Sequence, residues 1–352
     1  MIPAGWSMSF FSSLIYTGSR VGGQRERQTQ AFEAATLHFP RDYPFTPAYD
    51  EWSSNQAKED KERWQRKPPA KRVNFEKLGT MHPWRPDWHE LLGVTKPLQK
   101  DVEAAFVPAQ REMDDTMGGG QETAQPWLLR GPELIKIISN VSTVFSHGAA
   151  LLSEINRLRL KRKLDQLNNK ITPMNLLKGA LVNVKITMCS GGTLEDLAMI
   201  YFLQDNMVLQ WQKVLYIRRS SKNFLEDETP QETVVRDFFN SAPLTIDSQQ
   251  LANKVPDQKA VIGYITTGHY SLARGYAYGL GAVALTRLIE VVQQNLRLVS
   301  HSLLCITRKL ILDYRLHPKW ALDSPKPTML VGIRNTNGTQ CRAAYLEVLA
   351  ND

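Results

Sequence analysis

The chain has 352 residues, 42% hydrophobic and 22% charged, a balance that suits a folded protein of one large domain or two ordinary ones. With 21 Gly and 19 Pro, neither above background, a collagen-like or wholly disordered chain is excluded. Lys and Arg number 43 against 35 Asp and Glu, and the formal charge of +8 suits a polyanionic partner without identifying one. Cys189, Cys305 and Cys341 are odd in number and far apart, which argues against a disulfide scaffold or zinc ribbon and for reduced thiols inside a cell. The histidines form no HExxH and no His/Cys cluster, so no metal site is expected.

Residues 1–19 carry no charged side chain. They lack the basic start of a secretory signal, and Ser12 and Ser13 interrupt the apolar stretch, so a buried strand or packed arm is expected. No run reaches the roughly 18 apolar residues of a membrane span. The sequons at Asn140 and Asn337 are accordingly read as unmodified. YTGSRVGGQRER, residues 16–27, sets Arg20, Arg25 and Arg27 around Gly22-Gly23. Glycine there permits close backbone approach to a phosphate, although the pattern matches neither a P-loop nor GxGxxG. A plain turn accounts for it equally well.

The densest constellation lies at 58–84. Between Lys61 and Arg72 stand six basic residues and a single acid, Glu62, and Pro68-Pro69 stiffens the backbone. Trp64, Phe75, Trp84 and Trp88 surround the patch. Cations can neutralise phosphates, and planar rings and guanidinium groups can stack on unpaired bases. The alternative is a solvated basic helix end with its tryptophans in the core.

Residues 93–132, with a triple Gly at 118–120, hold no lasting period and read as a variable linker. From Glu133 to about Asn168 the apolar spacing predicts a helix with a gap at Gly148, ending in the basic run RLRLKRK at 157–163. Alternation at 182–188 predicts a half-buried strand, and 197–203 and 261–267 read as further strands. Residues 261–283 hold His269, Ser271 and Arg274 among Gly268, Gly275, Gly279 and Gly281. No acid stands ready to orient the His and there is no GxSxG, so glycines for turns and close packing explain this stretch better than a hydrolase. A helix is predicted at 286–296. Two strands flank Asn337-Gly338, a signal for a tight hairpin. The fold class expected is α+β, mixed helices and antiparallel strands, with the C-terminal part a curved sheet or partial barrel.

The stretches PAGWSMSFF, YTGSRVGG, FPRDYP and RKPPAKRVNFEKLGT, in that order, resemble the POPLD domain of the processing-of-precursors family. That family supplies the large protein subunit of nuclear ribonuclease P and ribonuclease MRP. Residues 184–204, 261–283 and 328–348 resemble the C-terminal part of the same subunit. The resemblance implies a POPLD-like RNA-binding region at 1–92, the linker at 93–132, and a helix plus α+β domain at 133–352 similar to the glycine-cleavage T-protein. It also implies that the family's N-terminal half is missing from this chain.

What the resemblance implies for function is a non-catalytic, RNA-binding structural subunit. The RNA performs the chemistry, in tRNA 5′-leader removal and pre-rRNA processing. The partners implied are the ribonuclease P or MRP RNA, precursor tRNA through the complex, and other protein subunits, with no membrane and no cofactor, in the nucleus and nucleolus. The residues expected to contact RNA are Arg20, Gly22, Gly23 and Arg25, then Arg63, Arg66, Lys67, Lys71, Arg72 and Lys77. A second patch comprises Arg157, Arg159, Lys161, Arg162 and Lys163. A folate-binding aminomethyltransferase-like enzyme and a general RNA-binding ribosome-assembly factor are the alternatives.

Overall fold

The computed structural model describes residues 3–20, 22–94, 124–167, 171–189, 192–212, 214–215, 251–253, 255–312 and 329–349, the last helix being described in its backbone alone beyond residue 298. Most of the expected linker and the Cys305 side chain therefore lie outside the described residues.

Six antiparallel strands close into a barrel. Strands β2 (Ala180–Met188), β5 (Tyr276–Ala284), β4 (Val261–Ser271), β3 (Met199–Tyr201), β6 (Met329–Arg334) and β7 (Arg342–Val348) pair in that order, and β7 returns to β2. A short strand β1 (Trp127–Leu129), inside the expected linker, pairs parallel with the start of β2. The expected partial barrel is thus a complete one, and closure removes the open edges of the sheet. Gly263 and Gly281 allow β4 and β5 to approach: a Cβ on Gly281 would lie 2.6 Å from the Tyr264 carbonyl oxygen.

Side-chain alternation divides β2 and β5 between the main core and a second cluster. Val182, Val184 and Ile186 of β2 join Ile265, Val283, Val331 and Leu346 in the main core, while Leu181, Ala282 and Ala284 face a second cluster with Tyr49, Trp88 and Leu92. The half-buried strand predicted at 182–188 is consequently covered on both faces along most of its length. The main core continues into helices α5 (Leu134–Thr143), α6 (His147–Lys161), α7 (Pro173–Lys178) and α8 (Leu285–Leu312). On the other side, residues 205–212 form a helical segment whose Val208 and Trp211 pack against Leu330 and Ala343.

Several expectations change in detail. The helix predicted over 133–168 is two, because Val144 is extended and the chain turns before Ser146. Gly148 sits where a Cβ would meet the Pro173 carbonyl oxygen at 2.7 Å, so the gap in the apolar pattern marks a helix crossing. The 335–341 connection is a hairpin, but neither Asn337 nor Gly338 takes positive φ. Asn335 instead ties the connection to the neighbouring loop, accepting from the Glu195 N–H at 3.2 Å and donating to the Thr193 carbonyl at 3.0 Å. The N-terminal stretch is neither a strand nor a packed arm. Ser7–Tyr16 is helix α1, between positive-φ Gly5 and Gly18, with none of its side chains buried. Its apolar residues follow no alternation, and an uncharged ten-residue run of this kind closes its own backbone hydrogen bonds as a helix. No helix among the described residues is long and apolar enough to cross a membrane.

The segment from α2 (Gln24–Glu33) through α3 (Pro47–Arg66) to α4 (Trp88–Leu92) lies against the barrel and is held at three places. At the first, Phe32 stacks on Tyr278 at 4.2 Å and accepts through its carbonyl from the Tyr278 hydroxyl. Next to it, Ser271 donates to the Glu33 carboxylate at 2.5 Å and Arg274 to the Glu33 carbonyl at 2.8 Å. At the third, Arg334 donates to the Leu78 carbonyl at 2.9 Å and Thr80 to the Thr336 carbonyl at 3.1 Å.

Between these lies Asp42, 1% exposed. Its carboxylate accepts from Thr266 and Thr267 and, at 2.8 Å, from the His38 N–H. Neighbouring residues of a regular strand point to opposite faces. Here β4 carries a bulge at Thr266, which brings both hydroxyls to one carboxylate. Arg41 braces the same point, donating to the Thr266 carbonyl at 2.8 Å and pairing with Asp196 at 2.6 Å. Burial pushes the Asp42 carboxyl above its ordinary range, against the lowering effect of its donors. Replacing Asp42 by Ala strands these buried donors, and a loss of about 2–4 kcal/mol is expected by chemical denaturation. Asp42→Asn keeps the shape and one accepting oxygen but turns the other into an NH2 that faces a donor, and should lose at least half of that. A loss below about 0.5 kcal/mol in both variants would show that the carboxylate oxygens are not the fastening.

Candidate nucleic-acid interface

Helix α3 builds the main basic feature. Thr46 caps it, accepting from the Tyr49 N–H at 3.2 Å, with Pro47 at its first position. Arg63 and Arg66 occupy its last turn, where cations favour the helix dipole. Lys67 is extended, as expected before a proline, and a single 3-10 turn (Pro69–Lys71) reverses the chain. Arg72 then folds back. It donates to the Lys67 carbonyl at 2.8 Å and the Gln65 carbonyl at 2.5 Å, and its guanidinium lies 5.4 Å from the Trp64 ring centre.

The aromatics form the inner side of this projection. Trp64, Phe75 and Trp84 pack on one another with ring centres 5.1–6.2 Å apart, and the Trp64 indole donates to the Val73 carbonyl at 3.1 Å. Trp88 is buried and donates to the Tyr49 hydroxyl at 2.9 Å. Burial raises the Tyr49 phenol to about 12, so it stays protonated. These rings are chiefly scaffold, and the cations stand outside them. Arg63 pairs with Asp60 at 2.8 Å and Arg66 with Glu62 at 3.2 Å, but both guanidiniums are largely exposed. Such pairs are worth about 0–1 kcal/mol and yield readily to a phosphate. Among the described residues, the exposed side chains of Lys67, Lys71 and Lys77 make no ion pair or hydrogen bond.

The 16–27 constellation is exposed. Gly23 is the N-cap of α2 with an extended backbone, and the positive φ falls on Gly18 rather than on Gly22 or Gly23. Arg20 and Arg25 are exposed and unpaired among the described residues, with Glu26 in the same first turn.

The 157–163 run divides. Arg157 pairs with Glu133 at 2.9 Å and Glu154 at 2.8 Å, Lys161 with Glu133 at 3.0 Å, and Arg159 donates to the Asp165 carbonyl at 2.6 Å. These three tie α6 to the start of α5 and to its own C-terminal turn. Arg162 and Lys163 remain exposed and unpaired among the described residues.

Sequence reading missed the docking role of residues 261–283. Ser271, Arg274, Thr266 and Thr267 spend their polar groups on residues 33–42, and His269 lies edge-on to Phe32 at 6.2 Å. The available signal was the Arg41-Asp42 pair, charged yet set between prolines and aromatics. His82, Asp87 and Glu90 bring ligand-type atoms within 4.8 Å of one another. His82 is already bonded to Glu90 at 2.6 Å, and Asp87 accepts from the His89 and Glu90 N–H groups as the cap of α4. Burial pushes the Cys189 and Cys341 thiols up to about 12, which leaves them unreactive.

Residues 1–88 match the family profile of the POPLD (NUC188) domain, and residues 241–350 that of the POP1 C-terminal domain. The chain is 40% identical over 109 residues to the Ribonucleases P/MRP protein subunit POP1 of Homo sapiens, an alignment covering 31% of this chain and 10% of that protein. It is 22% identical over 290 residues to the Schizosaccharomyces pombe subunit pop1, covering 80% of this chain and 27% of the relative. The Saccharomyces cerevisiae subunit POP1 is 44% identical over 61 residues, 17% of this chain and 7% of the relative. The matched stretches thus span about a quarter or less of these relatives.

Arg157 and Lys161 hold the Glu133 carboxyl down at about 2, well below the usual carboxylate range. Its contribution to stability is complete above the unfolded value of roughly 4.3 and fades as pH falls toward 2. Thermal melts between pH 2 and 6 should therefore converge at the acid end for the native protein and Glu133→Gln, with the native protein more stable at pH 6. Parallel curves across that window would remove Glu133 as the link.

Proposed function

The chain belongs to the POP1 family of ribonuclease P/MRP protein subunits, and from that premise we propose that it is a non-catalytic, RNA-binding part of that ribonucleoprotein. The RNA carries out the cleavage, in tRNA 5′ maturation and pre-rRNA processing. This chain neutralises phosphates and fixes how RNA elements meet, in the nucleus and nucleolus and alongside other protein subunits. The observation that carries this reading is the projection at 61–77, where cations stand exposed on a scaffold of packed aromatics that cannot collapse away from a ligand. Arg63, Arg66, Lys67, Lys71 and Lys77 are the proposed contacts there. Arg72 serves by holding the turn. Arg20 and Arg25, with Gly22 and Gly23 beside them, and Arg162 and Lys163 extend the surface. Arg157, Arg159 and Lys161 support it from within the α5–α6 junction.

The likeness to the T-protein remains part of this proposal as a fold relation only. Residues 261–283, where the folate-binding alternative would place its pocket, direct their polar groups to the segment at 33–42.

If about six cations reach phosphates, the logarithm of the binding constant for ribonuclease P or MRP RNA should fall against log[salt] with a slope of about −4 to −5. The Lys67→Ala/Lys71→Ala double variant leaves the scaffold intact and should flatten that slope by about 2. Recovery of the tagged chain from its native cells should bring down ribonuclease P or MRP RNA. An unchanged slope would remove these two lysines from the interface, and recovery of diverse RNAs would favour a general RNA-binding factor.

A further inference from the structure

A cleft opens between α3, the 84–86 turn and the β3–β4 side of the barrel. Trp52, Gln56 and Asp60 line one wall, spaced by four residues along one face of α3. Trp84, Arg85 and Arg41 also line the cleft, Arg85 being bonded to Asp50 and Ser54 of α3.

The charges in the cleft are already matched. Arg41 pairs with Asp196 at 2.6 Å and lies 5.7 Å from the Trp52 ring centre. Arg85 pairs with Asp50 at 2.5 Å and donates to Ser54 at 3.1 Å. Asp60 accepts from Arg63 at 2.8 Å and from the Gln56 amide at 3.1 Å. An anion entering here would have to break these pairs with no spare cation to receive it. A neutral, flat group needs no spare cation, and each Asp60 oxygen can accept a further hydrogen bond beside those from Arg63 and Gln56. Two half-buried indoles offer it apolar faces, and the Gln56 amide, Asp60 carboxylate and Arg85 guanidinium offer its edges both acceptors and donors.

The cleft also adjoins the basic projection. Asp60 ends the lining on α3, and Arg63, Arg66 and Lys67 follow about 5–10 Å further along the same helix axis. Asp60 and Arg63 form one ion pair, so a phosphate that draws Arg63 away releases an acceptor toward the cleft. Cations that track a backbone beside aromatic rings that take bases are the combination used to hold single-stranded nucleic acid.

We propose that this cleft receives one unpaired nucleobase of the bound RNA, stacked on Trp52 and hydrogen-bonded at its edge by Gln56 and Asp60. The proposal rests on the RNA-binding reading above and adds a site that is independent of charge. It is tested with the full chain and a single-stranded RNA of the particle, binding being measured as a function of salt. Trp52→Ala should weaken binding about tenfold at every salt concentration and leave the salt slope unchanged. Gln56→Ala, a milder change in a half-buried side chain, should weaken it several-fold with an unaltered melting temperature. Scanning the RNA with abasic nucleotides should reveal a position that costs the native protein about tenfold and costs Trp52→Ala nothing further.

Absence of any RNA binding at low salt would overturn the RNA-binding reading itself. Normal binding and a normal slope, with no effect of either substitution or of any abasic position, would overturn the nucleobase site alone. Unaltered RNA affinity with loss of a protein subunit from particles carrying Gln56→Ala would assign the cleft to a protein side chain, and would equally overturn it.

Discussion

A single buried carboxylate joins the two halves of this molecule. Asp42 sits with almost no exposure between a segment from the start of the chain and a strand more than 200 residues later. Burying a carboxyl group is costly, and burial does raise its protonation range. The cost is offset because two threonine hydroxyls and a backbone N–H converge on it, which the bulge in β4 makes geometrically feasible. Arg41, beside it, spans from the Thr266 carbonyl to Asp196 and closes the same junction. Satisfied polar groups at a buried junction fix one arrangement, because any shift in register would strand several of them at once.

That junction positions everything argued about function. With residues 38–42 fixed, α3 is seated by Tyr49 against Leu181, Trp88 and the small side chains of β5. Its C-terminal turn then projects as a basic end, and its Trp52–Asp60 face borders the cleft. The two stretches matched by the family profiles, 1–88 and 241–350, meet here and share one apolar cluster.

The cations divide into those that hold the protein together and those left for a partner. Arg41, Arg72, Arg274 and Arg334 donate to backbone carbonyls and lie against aromatic rings. Guanidinium suits this work, being planar and rich in donors, whereas the exposed lysines are flexible point charges. In the proposed role the lysines and the weakly paired Arg63 and Arg66 meet phosphates, while the structural arginines keep the surface in shape. Net charge alone does not make this distinction.

Much was legible from the residues alone. The α+β class, the strands at 182–188 and 261–267, the C-terminal hairpin and the basic projection after α3 all follow from local periodicity, turn chemistry and charge, which act over a few residues. The family resemblance was legible for the same reason, being carried by short contiguous motifs. Closure of the barrel was not, because it depends on β7 pairing with β2 across about 160 residues. Nor was the role of Ser271 and Arg274, whose partners lie some 240 positions away in sequence. The uncharged N-terminal run shows the limit from the other side. Apolarity suggested burial, but burial requires a neighbour that covers the face, and none of the α1 side chains is buried among the described residues. Local chemistry determined which elements form and which residues carry charge. Only the tertiary structure decided which of those charges are already spent, since an ion pair or a buried hydrogen bond depends on what distant segment arrives beside it.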